Sequence, residues 1–222
     1  MPSPSQLPNP AAAAKHPWDA RLARWLVWRL KDSWVTPNHL TTLRLTVGLA
    51  AAAAFTPGTY GWSNLAALLA IASNFLDHTD GELARISGRS SRSGHLYDMA
   101  SDAAVTILIF IGMGVGVAAA PAIDPLLPPA ALGAICGGAI ALIFFLRLRM
   151  EEMLGKAAIR QVHFGGFEME DVLYLLPLVT LCNGLAPFLL TASICAPLFA
   201  VWVAIDYRRA LRIRPMMRRA GE

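Results

Sequence analysis

The sequence predicts an all-α integral membrane protein, with six transmembrane helices preceded by an N-terminal interfacial amphipathic helix. Three observations lead there. Of 222 residues, 55% are hydrophobic and 15% charged, and the mean hydropathy is +0.48. An average soluble domain has roughly 45–50% and 25%, and a soluble chain of this size could not bury so much apolar surface. The apolar residues also gather into six runs, each approaching the ~20 residues that cross a bilayer. Finally, with six crossings all 19 Lys and Arg fall on one side of the membrane. Water-soluble globular, disordered and fibrous classes are thereby excluded.

Taken in order, residues 1–17 hold five prolines and an Ala11–Ala14 run but no long apolar core. They read as a disordered lead and not as a signal peptide. Residues 18–35 read as the interfacial helix. Trp18, Leu22, Trp25, Leu26 and Leu30 recur at helical spacing, with Arg21, Arg24, Arg29 and Lys31 largely off that stripe. Tryptophans with basic residues suit a helix lying on a membrane surface. The six-span domain covers 36–207, with spans near 40–57, 61–86, 95–120, 129–149, 171–186 and 188–206. The connectors 57–61, 121–129 and 183–187 are short and rich in Pro, Gly or Asn, as turns require. A basic tail occupies 208–222.

The charges set the orientation. The Lys and Arg residues lie in the N-terminal segment, the second-to-third connection, the fourth-to-fifth loop, the tail, or helix ends facing that side. The opposite connectors carry Asp124 as their only charge. By the positive-inside rule both termini and the second-to-third connection are cytosolic. The net charge of +4 and pI near 9.3 then mark contact with anionic lipid heads and not with nucleic acid. Cys136, Cys182 and Cys195 are odd in number and lie in apolar runs. They read as small buried hydrophobes, not as a disulfide framework.

The chemistry concentrates between Asp77 and Asp102. Asp77 and Asp80 are three apart and share a face at the cytosolic end of the second span. Asp98 and Asp102 are four apart and share a face at the start of the third. A turn around Ser87–Ser93 would point the two pairs at each other. Four unpaired carboxylates at a membrane boundary repel one another and are costly to desolvate. Cations relieve that, and oxygen ligands of this kind suit two Mg²⁺ or Mn²⁺ ions able to clamp a diphosphate. Gly81 and Ala84 leave the helix face bare for a bulky group. Arg85, one turn on, can meet phosphate oxygens in a fork. Ser91 offers a hydroxyl, and Gly94 opens the third helix without a side chain. Arg89 and Arg92 read either as lipid-facing surface charge or as further phosphate contacts.

The pattern Asp-x2-Asp-Gly-x2-Ala-Arg-x8-Gly-x3-Asp-x3-Asp is complete from Asp77 to Asp102. It resembles the signature of the CDP-alcohol phosphotransferases, membrane enzymes that move a phospho-alcohol from a CDP-linked donor to a second alcohol and release CMP. Thr36-Pro37-Asn38-x2-Thr41, read as preceding the first span, is similar to that family's approach to the nucleotide. The resemblance implies that Asp77 and Asp98 touch both metals, Asp80 mainly one and Asp102 the other. It also implies that Asp102 is the general base on the incoming hydroxyl. Pro37, Asn38, Thr41, Gly81, Ala84, Arg85, Ser91 and Gly94 would hold the CDP part of the donor. A homodimer, in a bacterial inner membrane, is a further implication. The short members that this chain resembles use CDP-diacylglycerol with a small polar alcohol. The reverse arrangement, a CDP-choline or CDP-ethanolamine donor with diacylglycerol, would use the same acids.

The acceptor is less legible. The glycerophosphate-using members' Asp-Pro-x-Ala-Asp-Lys is replaced here by Asp98-Met99-Ala100-Ser101-Asp102-Ala103. Arg147, Arg149, Lys156 and Arg160 around the fourth-to-fifth connection read either as a site for a phosphorylated acceptor or as positive-inside surface charge. Glu168, Glu170 and Asp171 read either as a cradle for a cationic alcohol or as acids favoured in a helix's first turn. An intramembrane aspartyl protease would need one dyad and an Asp after Gly-x-Gly, but no Asp follows Gly112-Met113-Gly114-Val115-Gly116. A channel or transporter would place its acids near mid-membrane.

Overall fold

The computed structural model describes residues 27–30, 33–88, 91–119, 127–154 and 174–220, and all regular structure among them is helical. Six helices follow in order: α1 (Pro37–Phe55), α2 (Tyr60–Ser87), α3 (Arg92–Ala118), α4 (Pro129–Leu154), α5 (Leu176–Leu181) and α6 (Leu185–Ala220). α1 packs along both α2 and α3; α4 packs against α3 and α6; α5 leans on α2. The carboxylate-bearing helices therefore meet across α1, and α1 is the helix on which the site depends.

Local sequence explains the ends. Thr36 caps α1: its hydroxyl accepts from the His39 N–H while the His39 ring accepts from the Thr36 N–H, and Pro37 fills the first helical position, where its missing N–H costs nothing. The Pro-Asn-x2-Thr segment is thus the first turn of α1 and not an approach to it. Gly88, at φ 64°, closes α2 in the left-handed conformation that lacks a Cβ penalty. Ser91 caps α3 by accepting from the Gly94 N–H at 3.0 Å.

Among the described residues, three helices are long and apolar enough to cross a membrane: α3, α4 over Pro129–Met150, and α6 over Leu185–Leu211. The first two expected spans are helices of 19 and 28 residues, but both give part of their length to polar residues. α1 carries Arg44 and a polar first turn, and α2 carries Asp77, Asp80, Glu82 and Arg85 in its last turns. At the fifth expected span the described helix is the six-residue α5, about 9 Å long, ended by a turn in which Asn183 takes φ 53°. The beginning of that span lies outside the described residues. The sixth starts earlier than expected, because Pro187 is accepted within the first turn of α6, and runs on through the basic tail to Ala220. Its 36 residues span about 54 Å, longer than the ~30 Å hydrocarbon core. Leu178, Ile194, Leu198 and Val201 face outward, as lipid-facing positions do.

Of the expected interfacial helix, residues 27–30 and 33–35 are described: 27–30 are helical, whereas Ser33, Trp34 and Val35 form a bend and link leading to α1. Val27 is fully buried, with Leu30 beside it, against Leu40 of α1 and Leu83 and Ile86 of α2. Trp28 remains exposed. Val27 lies off the expected apolar stripe, so here the contact with α2 orients the helix rather than that stripe alone. The lead and the rest of the interfacial helix lie outside the described residues.

α3 makes close contacts on two sides through small residues. A Cβ on Gly112 or Gly116 would collide with the carbonyls of Ala52 and Phe55 on α1, and one on Gly133 with the Phe110 carbonyl of α3. Where lipid is as apolar as the side chains, such backbone approach is a main source of helix association. Gly112→Val should therefore lower stability by about 1–3 kcal/mol. Gly61→Ala, where a Cβ meets nothing within 4 Å, should stay within ~0.5 kcal/mol of wild type. Thermal unfolding in detergent checks the pair, and equal melting of the two variants would contradict this packing.

Candidate active site

The acids converge as the spacing predicts. One oxygen each from Asp77, Asp80 and Asp98 lies within 4.8 Å of the others. Asp77 and Asp80 come from one face of α2, and Asp98 with Asp102, one turn further, from α3. At their centre is a residue that the reading of the acids overlooked. Arg44 of α1, 2% exposed, donates from Nη1 to Asp77 Oδ1 and to Asp98 Oδ1, the latter at 2.8 Å, and from Nη2 to Asp102 Oδ1 at 3.0 Å. The fourth acid also meets α1: the Thr41 hydroxyl lies 2.7 Å from Asp80 Oδ2. A signal for Arg44 was present, since it is the one cation in the apolar 40–57 run, and a charge inside a membrane helix is a functional residue by default.

With every carboxylate ionised, four acids against one guanidinium leave an excess of three negative charges. That excess, in a site formed by carboxylate oxygens alone, favours hard divalent cations. Opposite ligands of Mg²⁺ stand about 4.1 Å apart at 2.0–2.1 Å per bond. Oxygens within 4.8 Å of one another fit such an ion after a small contraction, so the residues present suit Mg²⁺ or Mn²⁺.

A cleft of about 230 Å³ opens beside the cluster, lined by Asp77, His78, Asp80, Gly81, Glu82, Arg85 and Asp98. Glu82 is nearly buried and accepts from Arg85 Nη1 at 3.2 Å, leaving the Arg85 side chain mostly exposed at the mouth. Neither Glu82 nor His78 was singled out from spacing, because each occupies a variable position between fixed ones. A Cβ on Gly81 would meet nothing within 4 Å, so space is open above the helix there. Ala84 is half-buried one turn on.

The other expected donor residues fall on the α1–α3 side. Asn38 is exposed in the first turn of α1. Its Oδ1 and Ser91 Oγ stand where a Cβ on Gly94 would press on them, at 2.9 and 3.0 Å. Asn38, Ser91 and Gly94 therefore meet at one point. Ser91 serves as the α3 cap, and Thr41 as a partner of Asp80, which gives both a local structural reason as well. Tyr97 of α3 lies 3.0 Å from the Thr42 hydroxyl and joins the same two helices.

The expected acceptor residues are not brought to the cluster by any described contact. Arg147 lies over the Phe199 ring, 5.5 Å from its centre, and Arg149 pairs with Glu152 at 2.7 Å within α4. Arg160 and Glu168 lie outside the described residues.

The CDP-alcohol phosphatidyltransferase family profile matches residues 34–206. The chain belongs to this family. It is accordingly a phosphatidyltransferase. No curated protein matches it in sequence. Among solved structures it resembles the phosphatidylinositol phosphate synthase of Mycobacterium tuberculosis, determined with CDP-DAG bound, at 23% identity and a TM-score of 0.56. The match covers 86% of this chain and 92% of that one, and it shows a shared fold.

The open space at Gly81 gives a test that separates folding from binding. Gly81→Leu should melt within a few degrees of wild type, because its Cβ enters space with no neighbouring atom within 4 Å. It should still raise the KM for the CDP-linked donor by about tenfold or more, equivalent to ~1.4 kcal/mol. Melting curves with donor-dependent kinetics check this. An unchanged KM would place the donor elsewhere.

Proposed function

We propose that this enzyme transfers a phosphatidyl group from CDP-diacylglycerol to a small polar alcohol, releasing CMP, at the cytosolic face of a six-span membrane domain. The observation that carries the proposal is the junction itself: three carboxylate oxygens within 4.8 Å, next to a cleft lined by Gly81 and Arg85. Two Mg²⁺ or Mn²⁺ ions held by Asp77, Asp80, Asp98 and Asp102 would neutralise the donor's diphosphate there.

The chain's own residues supply the rest. Gly81 and Ala84 admit the nucleotide close to the α2 backbone. Arg85, at the cleft mouth, binds phosphate oxygens. Pro37, Asn38, Ser91 and Gly94 form the neighbouring wall. Asp102 accepts the hydroxyl proton of the acceptor at a carboxylate oxygen, and Arg44 Nη2 on its Oδ1 fixes its orientation. The alcohol oxygen then bonds to the β-phosphorus of the donor as the bond from that phosphorus to CMP breaks. The acidic end of the bundle suits a donor whose nucleotide reaches water while its acyl chains stay in lipid. The exposed Trp28 and Trp34 suit the interface on that side. A homodimer in a bacterial inner membrane, with both termini cytosolic, completes the reading.

The assay is direct. Purified protein receives CDP-diacylglycerol with a panel of soluble alcohols and, separately, soluble CDP-alcohols with diacylglycerol. CMP and a new phospholipid are expected from the first mixture alone, and neither in EDTA. Asp77→Asn should lose metal and donor turnover together, whereas Asp102→Asn should lose catalysis, about 10²–10⁴-fold for a general base, yet keep most donor binding. A lipid product from the second mixture alone would reverse donor and acceptor, and full activity in EDTA would exclude the two-metal site.

A further inference from the structure

We infer that α1, through Thr41 and Arg44, is the outer shell of the metal centre, fixing which oxygen each carboxylate presents to the ions. The inference rests on the metal-dependent reading above and adds two positioning residues to it.

The contacts are divided in a way that supports this role. Arg44 takes Oδ1 of Asp77, Asp98 and Asp102, and Thr41 takes Oδ2 of Asp80. α1 thus engages one oxygen on every acid of the motif. For Asp77, Asp80 and Asp98, one oxygen of each lying within 4.8 Å of the others, a bond from α1 to one carboxylate oxygen restricts rotation of the group and so limits how its oxygens can meet a shared ion. Carboxylates that ligate metals are themselves commonly hydrogen-bonded in this way, and loss of the outer partner typically costs 10–100-fold in affinity or activity.

The backbone of α1 is held to the same end. Thr41 and Arg44 are three apart and lie on one helical face, and Gly48 continues it. A Cβ at Gly48 would strike Val105 of α3 and the Ser73 hydroxyl of α2, so α1 lies tightly between its two neighbours. Ser73 Oγ also donates to the Arg44 carbonyl at 3.1 Å. Arg44 is therefore anchored at its main chain to α2 and at its guanidinium to both acidic helices. The planar fork matters, because one guanidinium reaches three carboxylates from two helices, which a Lys ammonium on a flexible stem does poorly.

The test measures Mn²⁺ binding itself, by the free-ion EPR signal during titration of detergent-purified protein without substrate. Thr41→Val keeps the side-chain shape and removes the hydroxyl. It should weaken Mn²⁺ affinity roughly 10–100-fold, and Thr41→Ser should restore most of it. Arg44→Lys should weaken binding by a similar factor in protein that remains folded by circular dichroism. Thr41→Val decides the question alone if the Arg44 variant does not fold. Affinity unchanged or increased in Thr41→Val and Arg44→Lys would overturn the inference, making Arg44 a stand-in cation that the ions displace. Wild-type protein that binds no Mn²⁺ would overturn the inference and the metal-dependent reading together.

Discussion

Four carboxylates at the end of a bundle of apolar helices create one electrostatic problem, and the rest of the structure is arranged around it. Charges of one sign in a low-dielectric surrounding repel strongly, and each loses hydration as the helices close. The protein's own response is Arg44, a cation almost fully enclosed by helices and bonded to three of the acids. Removing one partner from such a group is usually far more damaging than never having built it, because an uncompensated charge stays behind. Arg44 thereby ties α1, α2 and α3 into one unit at the acidic end. Glycine contacts tie α1 to α3 and α3 to α4 farther along.

Function follows from what Arg44 leaves undone. One guanidinium cannot balance four carboxylates, and on the proposed function divalent cations meet the negative excess at the junction. The same geometry leaves open space above Gly81 and an exposed Arg85 at the mouth of the cleft, where a phosphate-bearing donor can approach. On the proposed function, stability and catalysis draw on the same residues. Core apolar packing, by contrast, lies mainly among Phe55, Ile109, Phe110, Met113 and their neighbours, away from the acids.

Much of this was legible in the sequence, for identifiable reasons. Apolar runs near the length of a bilayer marked the helices, and Pro, Gly and Asn marked the turns. The i,i+3 and i,i+4 spacings of the acids placed both pairs on helix faces, and the structure brings them together. Other features were not legible. That α1 lies between the two acidic helices depends on tertiary packing, which spacing along the chain does not encode. Arg44 was counted as one more positive-inside charge, although its place within an apolar run distinguishes it. Pro187 was assigned to a turn because proline commonly ends helices, yet in a first helical turn it has no hydrogen bond to break. Val27 joins Leu30 of the expected stripe in the buried contact because their partners, Leu40, Leu83 and Ile86, belong to other helices.

The central claim is that the α1–α2–α3 junction holds two divalent ions on these four acids. Low-temperature EPR of the Mn²⁺-loaded protein tests it most directly, because two Mn²⁺ ions about 3.5–4 Å apart couple magnetically. The account predicts a spin-coupled spectrum at two ions per chain, which Asp98→Asn converts to that of isolated ions or abolishes. An uncoupled spectrum at saturating Mn²⁺, or coupling that survives Asp98→Asn unchanged, would contradict it.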